Sequence, residues 1–229
     1  MRFPRPLREA SFTRRIKRFL AFIFLDGKEE YAHVPNSGRM QELLTTGREI
    51  KLRERKSQGR KTRFDVFLVD FKGSWVSIDA RLPGTLLSES IEKNNIVDFA
   101  GYFPLKREVP YRSSRFDLLL GKGRSRCLVE TKSVTLVEGK LALFPDAPTA
   151  RGTRHVLDLT EAVEEGYEAW LVFVCQREDA RFLSPNISVD PRFAEALKRG
   201  YGLGLKVLAF NCKVNENEVA LKNRIPVIL

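Results

Sequence analysis

Asp117 and the triplet Glu130-Thr131-Lys132 are the residues whose types and spacing could do chemistry. Two carboxylates supply hard oxygen ligands for Mg²⁺ or Mn²⁺. A lysine beside them can hold a phosphate oxygen or the attacking water, while the metal stabilises charge on the phosphate in flight. The set therefore reads as a metal-dependent phosphodiesterase centre. Side chains alternate along a strand, so Glu130 and Lys132 share a face and Thr131 points away. A hairpin can bring Asp117 beside them: residues 115–120 read as a buried strand, Gly121-Lys122-Gly123-Arg124-Ser125 as a turn, and residues 126–132 as the returning strand. The plainer reading is an acid–base ladder across a hairpin. The apolar flanks, Leu118 to Leu120 and Leu128-Val129, favour the functional one, because ionised groups on buried strands are costly unless paired or metal-bound.

The elements that must position this centre sit in a chain of 229 residues, enough for one large core or two modest ones. A composition of 43% hydrophobic and 30% charged residues is that of a soluble globular protein. No apolar run approaches the ~20 residues that span a bilayer, and the start carries no signal-peptide pattern; a cytoplasmic protein without a membrane partner is expected. Cys127, Cys175 and Cys212 each lie in an apolar run and read as core residues in a reducing compartment. No cysteine–histidine cluster suggests zinc.

The net charge of +11 points to a polyanionic partner. Residues 1–80 hold 18 Lys/Arg against 10 Asp/Glu, so most of the excess belongs to the front of the chain. That front third reads as a small all-β unit. Its strands are expected at 14–24, 29–34, 49–55, 63–71 and 75–78, with a hairpin at Asp26-Gly27 and a helical turn at 40–44. Five short strands with a helical interruption suit an OB-type barrel. Arg53, Arg55, Lys56, Arg60, Lys61 and Arg63, with Arg48 and Lys51, form a basic strip. With Arg14, Arg15, Lys17 and Arg18 the strip could make a phosphate-binding face. Among the available aromatics, Phe12, Phe19, Phe64, Phe67 and Trp75 read individually as barrel core rather than as a stacking platform.

Pro83-Gly84 marks a boundary near residue 80, giving expected domains of 1–80 and 81–229. The second half mixes helices near 85–93, 152–165 and 192–199 with strands near 107–111, 115–120, 126–132, 169–175 and 205–210. Strand–helix–strand order after residue 150 implies parallel pairing in a mixed sheet. His155 follows Arg151 by one helical turn, so both could face the hairpin carboxylates. His33, before the Pro35–Gly38 turn, reads as structural.

Over nearly its whole length the chain resembles the sugar fermentation stimulation protein family. The resembling stretches are Met1-Arg2-Phe3-Pro4, Arg18-Phe19-Leu20-Ala21, Ala32-His33-Val34-Pro35-Asn36-Ser37-Gly38-Arg39-Met40, Arg115-Phe116-Asp117, Val129 to Leu136, Leu143-Phe144-Pro145-Asp146-Ala147 and Arg151-Gly152-Thr153-Arg154-His155. The resemblance implies an OB-like β-barrel followed by a PD-(D/E)XK nuclease-like mixed-sheet domain, an α+β and α/β architecture. It also implies DNA binding with little sequence preference and a regulatory role in sugar metabolism such as maltose use. Asp117, Glu130 and Lys132 match the nuclease-like motif, with Phe116 in place of its proline. Glu89 lies on the helix where such nucleases often place a further acidic metal ligand.

The sequence thus points to a nucleic-acid-binding protein, DNA favoured, with a Mg²⁺- or Mn²⁺-dependent nuclease-like centre. Asp117, Glu130 and Glu89 are the metal ligands in this reading, Lys132 and His155 the catalytic partners, and Arg151 a phosphate contact. The alternative is a non-catalytic DNA-binding regulator. A sugar-phosphate enzyme has little support, because the basic strip is too long for a small substrate. Oligomeric state is left open.

Overall fold

Ala169-Trp170-Leu171-Val172-Phe173-Val174-Cys175 is apolar at every position, a pattern that suits a strand covered on both faces. In the computed structural model, which describes residues 1–3, 7–55, 59 and 61–229, this run is the centre of the second half. Fifteen strands and three α-helices are seen among the described residues. The first half holds β1 (Arg8–Lys17), β2 (Leu20–Leu25), β3 (Lys28–His33), β4 (Glu49–Glu54), β5 (Phe64–Phe71) and β6 (Ser74–Ser77). The second begins with α1 (Pro83–Glu92), β7 (Phe103–Tyr111), β8 (Ser114–Lys122) and β9 (Ser125–Val134). It continues with β10 (Val137–Glu138), β11 (Leu141–Phe144), α2 (Ala150–Glu164), β12 (Glu168–Cys175), β13 (Phe182–Pro185), α3 (Pro191–Gly202), β14 (Lys206–Val214) and β15 (Val219–Arg224).

The first sheet runs β3-β2-β1-β4-β5-β6, and a parallel β3–β5 pairing (Ala32 with Phe64, His33 with Asp65) closes it into a five-stranded, OB-like barrel. The five strands of the barrel differ from those expected. The run 14–24 is two strands: Lys17 pairs with Leu20, so the chain reverses over Arg18-Phe19 without a turn glycine. β6 lies outside the closed ring, as a hairpin partner of β5. β1 serves two neighbours, pairing with β4 through Arg8–Ser11 and with β2 through Ser11–Lys17, and its register shifts after Phe12 and Arg15 bend it between them. Residues 40–44 make a single turn, in which the Leu43 and Leu44 amides donate to the Met40 carbonyl at 3.1 and 2.9 Å.

The larger sheet of the second half has the order β15-β14-β12-β9-β8-β7. β7, β8 and β9 form an antiparallel meander, whereas β12 pairs in parallel with both β9 and β14. Helices α2 and α3 make the two crossovers and cover one face through Val156, Leu159, Phe193 and Leu197. Helix α1 covers the other through Leu86, Leu87 and Ile91. Both crossover helices have side-chain caps: Thr149 accepts from the Gly152 amide, and Asp190, ahead of Pro191, accepts from the Phe193 amide. A small sheet, β10-β11-β13, flanks the large one. Among the described residues, no helix is long and apolar enough to cross a membrane.

Barrel and sheet share packing. Phe67 and Leu68 of β5 lie in the same cluster as Leu82, Leu86 and Leu118. Gln176, wholly buried at the end of β12, joins the halves by hydrogen bonds. Its Oε1 accepts from the Ser77 hydroxyl at 3.1 Å, and its Nε2 donates to the Asp79 carbonyl at 3.1 Å and to the Ser133 hydroxyl at 2.8 Å. Gln176→Leu keeps the volume and strands these partners without water, so it is expected to cost about 2–4 kcal/mol. Urea unfolding monitored by tryptophan fluorescence checks this, as a lowered midpoint at an unchanged m-value.

Candidate active site

Glu130 is the least exposed member of the motif. β9 places it, with Lys132, on the face covered by α2, where His155 is also buried. Lys132 Nζ donates to Glu130 Oε1 at 2.7 Å, and His155 Nδ1 lies 2.6 Å from the same oxygen. Arg151, one turn earlier on α2, donates its Nε–H to His155 Nε2 at 3.2 Å. That nitrogen is therefore the acceptor, and Nδ1 carries the ring proton and donates it to Glu130. Burial opposes ionisation of Glu130, but the Lys132 charge and the His155 hydrogen bond outweigh it and hold the carboxyl below its ordinary range. Its second oxygen, Oε2, is buried and has no hydrogen-bond partner among the described residues.

Asp117 approaches from β8. Its Oδ2 accepts from the Thr131 amide at 2.7 Å and also from the Thr131 hydroxyl. Thr131, which points away from Glu130 and Lys132 as strand alternation requires, thus holds the second carboxylate. Burial, and then the charge of Glu130, push the Asp117 carboxyl up to about 6 against these two hydrogen bonds. Helix α1 starts directly over Asp117: a Cβ at Gly84 would lie 3.3 Å from the Asp117 Cβ, so glycine permits this close approach. The positive end of α1 therefore faces a carboxylate.

Asp117, Glu130, Thr131 and Lys132 line one side of a cleft of about 610 Å³ between sheet and barrel, with His155 buried behind them. Arg18, Asn36 and Gly38 of the barrel half form the opposite side, and the start of α2, with Thr149 and Arg151, borders one end. The residues present fit a hard divalent cation: two adjacent carboxylates, one with a desolvated and unpaired oxygen, is a donor set Mg²⁺ completes with water. Among the described residues, no group of three or more His, Cys, Asp and Glu side chains could hold a metal. Glu89 does not join the set; its carboxylate pairs with the N-terminal amine at 3.2 Å and is absent from the cleft lining.

Sequence reasoning missed Thr131 as an Asp117 ligand and Glu108 as a lining residue. Glu108 sits on β7 at φ +52° and borders the cleft. Strand alternation could have pointed to Thr131, whereas nothing local marks Glu108.

The proposed basic face is largely tied into the protein. The Arg15 guanidinium donates to the carbonyls of Arg18, Asn36, Gly38 and Arg39, which makes it a brace for the loop beside the cleft. Arg53 lies over the Phe67 ring at 3.6 Å, and burial pushes its guanidinium down to about 10. Arg55 pairs with the buried Asp65 at 3.1 Å, Arg63 with Glu54 at 2.8 Å, and Arg14 with Glu29 at 2.8 Å. Lys51 is only 3% exposed, among Glu9, Glu49 and Glu216. Lys17, Arg18 and Lys61 are exposed; Lys56 and Arg60 lie outside the described residues. A continuous phosphate-binding strip along residues 48–63 is therefore not formed by the residues described, because charges along β4 pair across strands and across the two halves.

Comparison with known proteins places this geometry. The family model described as the sugar fermentation stimulation protein RE domain matches residues 81–218, and that of the SfsA N-terminal OB domain matches residues 13–78. The sugar fermentation stimulation protein homolog of Alkaliphilus metalliredigens is 43% identical over 219 residues, covering 95% of this chain and 94% of that protein. The homolog of Acetivibrio thermocellus is 41% identical over 232 residues and covers 100% of both. The structure of Pyrococcus furiosus SfsA in complex with Ca²⁺ is similar with a TM-score of 0.93 at 29% identity, covering 100% of this chain and 98% of that one. By sequence and by fold alike, the chain belongs to the sugar fermentation stimulation protein family.

Proposed function

We propose that this protein binds nucleic acid, DNA favoured, and that its cleft hydrolyses phosphodiesters with Mg²⁺ or Mn²⁺ held by Asp117 and Glu130. The observation that carries this reading is Glu130 Oε2, an unpaired and desolvated carboxylate oxygen in a site that also holds Asp117 and Lys132. Such an oxygen is costly unless a cation completes it. The complex of the Pyrococcus furiosus relative with Ca²⁺, another hard cation with oxygen ligands, supports the same reading.

A bound divalent cation supplies charge stabilisation for the phosphate and an acidified water. The remaining work falls to the chain itself. Lys132, fixed by Glu130, positions a water or a phosphate oxygen. His155 holds Glu130 Oε1, which leaves Oε2 for the metal. Arg151 and the N-terminus of α2, both bordering the cleft, bind a phosphate. Residues 1–80 act as the binding unit and 81–229 as the catalytic unit. Three buried free cysteines suit a reducing cytoplasm. A second reading, a DNA-binding regulator of sugar metabolism without turnover, draws on the thin ligand set of two carboxylates.

Incubation with labelled single- and double-stranded DNA and RNA, in Mg²⁺, Mn²⁺ or EDTA, separates the two. Turnover that needs metal and falls at least ~100-fold in both Glu130→Gln and Lys132→Ala, with binding retained, is the expected outcome. Equal cleavage by wild type and both variants would identify a contaminant and remove the catalytic assignment. No cleavage with any cation would leave the regulator.

Asp117→Asn tests the site without turnover. A carboxyl raised in the fold contributes stability below its unfolded pKa and loses it as pH rises through the folded value. In EDTA wild type should therefore lose stability relative to the variant as pH rises from about 4 through 6, by at most about 3 kcal/mol at about 1.4 kcal/mol per pKa unit. Added Mg²⁺ should raise the melting temperature of wild type only. Thermal melts at pH 4 and pH 8 check both statements.

A further inference from the structure

Along β2, Ala21, Ile23 and Leu25 fill the barrel while Leu20, Phe22 and Phe24 point outward. On β3, Tyr31 and His33 point outward on either side of the buried Ala32. Register aligns these outer residues in a ladder, Leu20 with His33 and Phe22 with Tyr31. The Phe22 and Tyr31 rings lie 4.6 Å apart at 31°, and Phe19 leans on His33 at 6.0 Å and 30°. Phe19, Phe24 and Tyr31 remain 46%, 50% and 51% exposed. A barrel needs none of these rings outside for its core.

Cations border the row. The Arg14 guanidinium, paired with Glu29 at 2.8 Å, stands 4.1 Å from the Phe22 ring centre, and that of Arg18 stands 5.8 Å from Phe19. Lys17, Arg18, Phe19, His33 and Lys61 line a shallow groove of about 520 Å³ at one end of the row. Arg18 also lines the cleft that holds Asp117 and Glu130. Groove and cleft thus meet at one guanidinium.

We infer that a single-stranded nucleic acid lies along the outer face of β2 and β3, its bases stacked on Phe19, Tyr31 and Phe24, and passes Arg18 into the cleft. The inference rests on the nucleic-acid reading above and deepens it to a substrate class. Exposed rings with adjacent cations match a chain of phosphates and unpaired bases. A duplex hides its base faces within its own stack and would use the cations alone. The order along the path is consistent with this occupant: bases are held on the rings, phosphates cross Lys17 and Arg18, and the backbone reaches the carboxylates.

The test is fluorescence anisotropy of the full-length protein in EDTA, so that no turnover intervenes, with labelled oligo(dT), oligo(rU) and a DNA duplex, each of about 15 nucleotides or base pairs. Single strands are expected to bind at least tenfold tighter than duplex. Phe24→Ala and Tyr31→Ala should each weaken single-strand binding roughly tenfold, within the range for loss of one base–aromatic stack, and leave duplex binding unchanged. Tyr31→Phe should retain affinity. Arg18→Ala should flatten the salt dependence by about 0.7 in log–log slope. Deoxy- and ribo-oligomers both support the inference, and their ratio reports whether the sugar is read. Duplex binding as tight as single-strand binding, or alanine variants that bind like wild type, would overturn it. So would a dimer in sedimentation that Phe24→Ala dissociates without changing affinity, which would assign the face to a second copy of this chain. Failure to bind any probe would remove the nucleic-acid reading itself, whereas metal-dependent duplex cleavage insensitive to the rings would overturn only the single-strand path.

Discussion

A carboxylate taken out of water is the constraint on which the second half depends. Glu130 is buried at the centre of the sheet, and an ion in that position persists only if donors replace its hydration. β9 supplies one donor two residues on, Lys132, and α2 supplies the other, His155. The imidazole can donate from Nδ1 because Arg151 engages its other nitrogen. Strand, helix and arginine are thereby set relative to one carboxylate oxygen. The second oxygen has no hydrogen-bond partner among the described residues, so the arrangement is complete as a scaffold and incomplete as a charge. A buried pair built only for stability would close both oxygens, since half-satisfied polar groups are the expensive kind.

The cleft exists because the two halves cannot separate easily. Gln176 closes hydrogen bonds into β6 and the chain beyond it, and Lys51 of the barrel meets Glu216 of the β14–β15 turn at 3.1 Å. The first residues of the chain return to the same turn, where the Phe3 amide donates to the Asn217 carbonyl and Phe3 packs edge-on against Phe67. On the opposite side, Asp146 accepts from the Met40 amide at 3.2 Å, and a Cβ at Gly38 would collide with its carboxylate. Barrel loop and sheet loop are thus pinned on both flanks of the site. Arg15, bound to carbonyls of that barrel loop, is part of this brace.

What the sequence disclosed follows from which forces act locally. Period-two alternation put Glu130 and Lys132 on one face, and the apolar run at 169–175 announced a strand buried on both sides. Strand–helix–strand order gave the parallel pairing of β12 with β9 and β14. Charge was read less well, because pairing is decided by neighbours across the sheet: Lys51 looks like part of a solvated strip, yet it is enclosed by Glu9, Glu49 and Glu216. The reversal at Arg18-Phe19 was hidden for want of glycine or asparagine. Glu89 lies on the expected helix but turns to the chain's own amino terminus, a contact that no local pattern encodes.

The aromatics show the limit most sharply. Phe12 and Phe64 fill the barrel, as a small barrel requires, whereas Phe67 is buried between barrel and sheet. Leu20-Ala21-Phe22-Ile23-Phe24-Leu25 is apolar at every position, so composition cannot say which three side chains fill the barrel. Size would have suggested the phenylalanines. The structure buries Ala21, Ile23 and Leu25 and turns the larger rings outward. A small closed barrel has little interior, and alanine opposite alanine, Ala21 beside Ala32, lets the strands close tightly. Strand alternation thus puts Ala21, Ile23 and Leu25 inside and leaves the rings of Phe22 and Phe24 on the outer face, where the barrel core has no use for them.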